Sequence, residues 1–286
     1  MLIRLRKYAS AAIFGIVCFV LVGAVFCQAT LRVPRELGPA PTGAETVSII
    51  APDKVSLSAW WLRPSRGNGN CVIVLHGIAD SRVGSVGFAP MFLNEGYAVL
   101  APDSRAHGAS GGQFVTYGLL EKYDVIAWAA WMKSAGCRGL YGLGESLGAS
   151  ILIQAAAIQP AFAAIVAECP YADLREVARY RVRRMTHTPA FVAGMVVTSA
   201  MLYARWADGL DLSQVSPVSI IADVSTPIFL IHGLDDYETP PYNSEELAHA
   251  NPEDPLWLVP NAEHTGAAEA EPDEFRRRVL QWFAEH

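Results

Sequence analysis

The chain has 286 residues, enough for one large α/β domain or two small ones, and 52% of them are hydrophobic against 17% charged. That content guarantees a sizeable buried core, and a net charge of -6 excludes the basic surface that nucleic-acid binding requires. No internal repeat or low-complexity tract divides the sequence.

The first element in chain order is apolar. Arg4, Arg6 and Lys7 precede a run from Tyr8 to Leu31 without any charge, long enough to cross a bilayer as a helix. Residues 1–31 therefore read as a single-pass membrane anchor. The basic end is expected on the cytoplasmic side and the rest of the chain outside, although Arg32 and Arg35 lie on the far side and oppose that orientation. The alternative is a signal peptide cleaved near Cys27-Gln28-Ala29, whose apolar region would be longer than usual. Phe26 is too bulky for a lipid-attachment site at Cys27.

Residues 32–46, rich in Pro, Gly and Ala, read as a linker to a domain over 47–286. In that domain short apolar runs predict strands at 47–50, 56–62, 71–76, 98–103, 139–143, 164–168, 227–232 and 256–260. Helical patterns predict helices at 89–95, 119–134, 147–159, 244–250 and 271–284. Their alternation implies an α/β domain, with a mostly parallel central sheet flanked by helices. The interval 171–226 breaks the rhythm. It holds a basic amphipathic stretch at 175–184 and an apolar one at 189–206, and reads as a helical cap. The apolar stretch is expected to line a pocket or pack on the core rather than to dock on a membrane.

Cys71, Cys137 and Cys169 show no pairing rhythm and are expected as separate buried thiols. No cluster of His or Cys has ligand spacing, so no metal and no cofactor is expected.

Gly144-Glu145-Ser146-Leu147-Gly148 carries the chemistry. By composition alone roughly one chain in ten of this length would hold Gly-x-Ser-x-Gly by chance. Here a strand precedes it and a helix follows, which is the setting of a strained turn that thrusts a nucleophilic serine outward. A serine hydroxyl needs an adjacent base, and the base an orienting acid. After the strand at 227–232 comes Asp235-Asp236, either of which could face a base. After the strand at 256–260 comes His264. His249 and His286 lack such a position, His187 sits in the cap, and His76 and His232 are expected to bind loops structurally. The N–H groups of Leu147 and Ile78 are the expected oxyanion donors.

With Leu75-His76-Gly77, the run from Asp103 to Gly112, the Gly-Glu-Ser-Leu-Gly elbow, the Ile231-His232-Gly233…Asp236…Pro240 segment and Glu263-His264, the chain resembles the α/β-hydrolase superfamily. It looks most like bacterial membrane-anchored hydrolases of the serine aminopeptidase-like group. The resemblance implies the α/β-hydrolase fold and a Ser146, Asp236, His264 triad, with Asp236 preferred to Asp235 by its distance from the His-Gly pair. It also implies that Asp103, Arg105 and His107 shape a loop, and that Glu145 makes hydrogen bonds beneath the elbow. Cleavage of a carboxylic ester with a hydrophobic acyl group is the first expectation, since the cap is apolar. A peptidase is the alternative, with Glu168 or Asp173 at the cap to hold a substrate amine. A catalytically silent binding module is the third reading. The expected partners are a small ester or peptide substrate and, through the N-terminal helix, a membrane.

Overall fold

A computed structural model describes the backbone of residues 2–286 and the side chains of residues 8, 10 and 13–286. A long helix, α1 (Leu2–Leu31), leads into β1 (Glu45–Ile50), β2 (Ser56–Leu62) and β3 (Asn70–Leu75). Two short helices follow, α2 (Arg82–Ser85) and α3 (Ala89–Asn94), and then β4 (Ala98–Pro102), α4 (Glu121–Ser134), β5 (Gly139–Glu145), α5 (Leu147–Ile158) and β6 (Ala164–Glu168). The cap holds α6 (Leu174–Thr186) and α7 (Ala190–Tyr203), which runs on through a wider turn over Ala204–Asp208. The chain closes with β7 (Ile228–Gly233), α8 (Tyr242–Ala250), β8 (Leu256–Val259), α9 (Ala267–Ala270) and α10 (Pro272–Glu285). Every strand read from the sequence forms, with small shifts at its ends. The four-residue helices α2 and α9 escaped that reading because one turn shows no periodicity.

The strands make one sheet in the order β1-β2-β4-β3-β5-β6-β7-β8. β1 and β2, and β2 and β4, pair antiparallel; every other pair is parallel. Central β3 is buried along Cys71–Leu75, as a strand covered on both faces must be, whereas edge strand β1 is largely exposed. One face of the sheet is covered by α4, α5 and the cap around Trp128, Leu152 and Ile153. The other is covered by α3 and α10 through Phe92, Phe275 and Phe283. Helix α5 is buried from Leu147 to Ala156, sealed between sheet and neighbours. This is the α/β-hydrolase architecture, with the turn that carries Ser146 joining a central strand to a central helix.

Two features were not foreseen. Cys71 and Cys137, expected as separate thiols, form a disulfide with their Cα atoms 5.7 Å apart. Parallel pairing of β3 with β5 matches Asn70 to Gly139 and Cys71 to Leu140, so the residues just before β5 lie beside the start of β3. The pairing follows from strand order, which residue spacing does not reveal. The second feature is the seating of the N-terminal segment. Cys27 and Leu31 of α1 are buried in the main core. The Leu31 carbonyl accepts from the Val115 N–H, and the Thr30 carbonyl from the Tyr117 hydroxyl. The stretch read as a linker is tied down too, since Arg35 donates to the carbonyls of Gly108, Ser110 and Gly112.

A crosslink closing the 66-residue separation between Cys71 and Cys137 constrains the unfolded chain, by up to ~4 kcal/mol in the loop-entropy account. Replacing both residues by alanine is expected to lower the midpoint of chemical unfolding markedly, and reductant to do the same to the parent but not to the variant. Unfolding curves with and without reductant, with thiol counting under denaturing conditions, check this.

Candidate active site

The turn from β5 to α5 dictates the local geometry. Ser146 sits between them at φ 51° and ψ -109°, a backbone region that non-glycine residues occupy only when their surroundings force it. Its N–H is fixed by the Glu168 carbonyl at 2.8 Å. The flanking glycines are obligatory for a measurable reason. A Cβ on Gly148 would come 2.5 Å from the Leu75 carbonyl oxygen, and one on Gly144 would come 2.5 Å from the Gly148 backbone. No side chain fits where strand, helix and the next strand approach so closely.

The hydroxyl so presented meets its neighbours in line. His264 Nε2 lies 2.8 Å from Ser146 Oγ, and His264 Nδ1 lies 2.7 Å from Asp236 Oδ2. A carboxylate facing Nδ1 makes that nitrogen the donor and leaves Nε2 free to accept the serine proton. Asp236, not Asp235, faces the histidine. Its Oδ1 accepts from the N–H groups of Glu238 and Thr239 at 2.8 and 2.9 Å, and Oδ2 lies 3.2 Å from His232 Nε2. Burial would raise the Asp236 pKa, but hydrogen bonds from His232 and His264 outweigh it and hold the carboxyl well below the usual range. The pair Ser146–His264 thus rests on a carboxylate that stays ionised.

His232 shows why a buried histidine beside an acid need not be a base. Its Nε2 also faces the Thr239 carbonyl at 2.7 Å, so that nitrogen carries the hydrogen, and Nδ1 accepts from the Ser244 hydroxyl at 2.6 Å. Both ring nitrogens are committed, Nε2 to the Asp236 loop and Nδ1 to Ser244 of α8. Cys169, His232 and Asp236 bring donor atoms within 4.8 Å of one another, the one such cluster among the described residues. Those atoms are taken up internally, Cys169 Sγ by the Thr265 N–H at 3.4 Å.

The second loop is pinned in the same way. His76 Nε2 accepts from the Ser104 N–H and His107 Nε2 from the Ala79 N–H, at 3.0 and 3.3 Å. Burial lowers both pKa values to about 4, so both rings are neutral. Asp103 accepts from the N–H groups of Arg82 and Ala109, and Arg105 forks onto Asp124 at 2.6 and 2.7 Å. These residues shape the loop, as the resemblance implied. Ile78 in it, with Leu147 at the start of α5, borders the same cavity as Ser146. The first N–H groups of a helix have no intrahelical partner, which leaves the Leu147 N–H available.

Above Ser146 lies a cavity of about 450 Å³. Its walls come from the cap (Val177, Val197, Met201) and, unexpectedly, from α1 (Phe26, Ala29, Thr30). The sequence offered no signal for that contribution, which depends on long-range docking. Arg181 is the charged residue lining it among the described residues.

Three carboxyls behave differently from expectation. Glu168, assigned to the cap, is sealed beneath the His264 loop. Its Oε1 accepts from the Ala267 N–H at 2.9 Å, and its Oε2 has no partner among the described residues. Asp173 caps α6 by accepting from the Glu176 N–H. Neither borders the cavity, so neither is placed to hold a substrate amine. Glu145 makes no side-chain hydrogen bond among the described residues. Burial, with Glu168 and Asp80 nearby, raises its pKa to about 8, and burial raises that of Glu168 to about 7.

Comparison with known proteins places this geometry in context. Residues 50–219 match the family model of X-Pro dipeptidyl-peptidase (S15 family), a stretch that includes Ser146 and ends before Asp236 and His264. A Bacillus subtilis (strain 168) protein, YqkD, is 29% identical over 219 residues, 74% of this chain and 70% of its own. Among solved structures, the Pyrococcus furiosus esterase Pf2001 superposes with a TM-score of 0.74 at 26% identity, over 90% of this chain and 98% of that one. A Pseudomonas aeruginosa hydrolase, 18% identical with a TM-score of 0.63 over 85% of this chain and 99% of its own, shares the fold.

The raised carboxyls set a pH dependence. Between about pH 4.5, where an unfolded glutamate loses its proton, and about 7 to 8, the native state holds protons that the unfolded state has released, so stability falls as pH rises. Glu145→Gln is expected to raise stability at pH 8, on the order of 1–3 kcal/mol, and to change little at pH 4. Thermal melts of both proteins across that range check the sign.

Proposed function

Because the chain belongs to the X-Pro dipeptidyl-peptidase (S15) family and is a serine hydrolase enzyme, we propose that it cleaves carboxylic esters with hydrophobic acyl groups through a Ser146-His264-Asp236 triad. The observation that carries this reading is the apolar cavity of about 450 Å³ opening onto Ser146, with Arg181 as its charged lining residue. An acyl chain is stabilised there by burial at roughly 25 cal/mol per Å² of apolar surface. The Pf2001 relative, an esterase, points the same way. The family model favours an amide substrate, but a peptidase acting on a free N-terminus needs an acidic partner for the amine, and Glu168 and Asp173 are engaged elsewhere.

In the proposed reaction His264 Nε2 takes the Ser146 proton as Oγ attacks the acyl carbonyl. The oxyanion is received by the N–H groups of Leu147 and Ile78. Collapse expels the alcohol, which takes the proton from His264, and leaves the acyl group on Ser146. Water activated by His264 then releases the acid and restores the serine. Asp236 stabilises the transient imidazolium.

We further infer that α1 tethers the enzyme to a membrane. Ile13–Leu31 is 19 residues long with mean hydropathy 2.3, and mostly exposed apolar side chains cover its outer face. Cleavage near Cys27 to Ala29 would remove part of the cavity wall, which speaks for retention. The Cys71–Cys137 disulfide suits an oxidising, extracytoplasmic location. The side chains of Arg4, Arg6 and Lys7, on which the orientation rests, lie outside the described residues.

A fluorophosphonate probe is expected to label the wild-type chain at Ser146 and not Ser146→Ala. His264→Ala is expected to cut p-nitrophenyl ester turnover about 10²- to 10⁴-fold. Folded wild-type protein that neither reacts with the probe nor turns over esters contradicts the reading.

A further inference from the structure

The cap helix and the N-terminal helix are one unit. The Ser199 hydroxyl donates to the Phe19 carbonyl, and Gln28 Nε2 donates to Asp208 Oδ2 at 3.1 Å. Between them the backbones touch, because a Cβ on Gly23 would come 2.6 Å from the Ser199 carbonyl carbon. Partners at 19 and 199, 23 and 199, and 28 and 208 mean that α7 runs alongside the second half of α1 in the same direction. Wherever that half of α1 sits, α7 sits beside it.

Both helices turn apolar side chains outward. On α1, Phe14, Val17, Leu21 and Val25 are spaced along one face and exposed. On α7 and its continuation, Phe191, Met195, Leu202 and Trp206 fall at i, i+4, i+11 and i+15, again one face, and Phe191 and Trp206 are 69% and 81% exposed. An exposed apolar stripe of this extent marks an interaction site. The span Ala190–Asp208 has a mean hydropathy of 1.3 over 19 residues. It ends in Tyr203, Arg205 and Trp206, types that favour the headgroup level, beside the point where Gln28 closes on Asp208.

We propose that the outward face of α7 lies in the lipid bilayer beside α1, and that the cavity over Ser146 takes its acyl substrate from that bilayer. The substrate class is then a membrane-partitioned ester of a long acyl chain. Continuity chooses the occupant: α7 cannot be separated from a helix whose own outer face suits lipid. The cavity lies between the two, walled by Phe26 and Ala29 on one side and by Val197 and Met201 on the other, so a chain reaching Ser146 rests against both helices. This inference builds on the membrane-tethered esterase reading above.

The full-length protein in phosphatidylcholine vesicles tests it in two ways. Trp206 emission, taken as the difference between wild type and Trp206→Phe, is expected to lose about half its intensity when the acyl chains are brominated. An undiminished signal from protein that remains vesicle-bound overturns the proposal; if the chain also behaves as a dimer, the face belongs to a second copy instead. The second arm uses Met195→Glu/Leu202→Glu, both outside the cavity wall. Hydrolysis of a long-chain ester embedded in vesicles is expected to fall about tenfold or more, since charges facing lipid resist insertion, while a short soluble ester is cleaved as before. Equal loss on both substrates, or no loss on either, overturns bilayer delivery. Wild type inactive on the short ester would defeat the esterase reading, and the quenching result would still report on α7 separately.

Discussion

The close approach of three backbone segments at the end of β5 sets the site. Gly148 lies against the Leu75 carbonyl of β3, and Gly144 lies against Gly148, so the chain can reverse from strand to helix in the space of one residue. That reversal forces Ser146 to positive φ and points its hydroxyl out of the sheet. It also puts the Leu147 N–H at the mouth of α5 and Ile78, three residues past the end of β3, across the same cavity. Strand order does the rest. β5 has β3 on one side and β6 on the other, and the loops after β7 and β8 bring Asp236 and His264 over the serine.

Electrostatics around that turn divides into two layers. Above the sheet Asp236 is ionised, because two histidines and two backbone N–H groups hold its oxygens. Beneath the His264 loop and beside the elbow, Glu168 and Glu145 are pushed toward neutrality by burial. Both oxygens of Asp236 are held by donors, whereas Glu168 has one oxygen partnered and Glu145 has no side-chain partner among the described residues, and that difference in hydrogen bonding sets their protonation apart.

Much of this was legible in the residues and some was not. The turn that presents Ser146 could be read because its glycines and its strand and helix are local. Asp235 and Asp236 could not be told apart by spacing alone; the resemblance chose Asp236, whose Oδ2 lies 2.7 Å from His264 Nδ1. The Cys71–Cys137 bond escaped because it depends on β3 lying beside β5, a fact of topology. Glu168 was misplaced for a similar reason. It sits at a strand end that looks like a rim in sequence but is covered by the loop through Ala267. The largest surprise was α1. Hydropathy identified an apolar helix, yet only the docking of Gly23 on Ser199 makes its last turns a wall of the cavity.

The account turns on covalent catalysis at Ser146, and rapid mixing with a p-nitrophenyl ester tests that most directly. Acylation faster than deacylation predicts a burst of p-nitrophenol approaching one equivalent per chain, an acyl mass added to the peptide containing Ser146, and loss of both in Ser146→Ala. Steady turnover with no acyl group on that peptide after quenching at any time, or a burst that survives in Ser146→Ala, would contradict it.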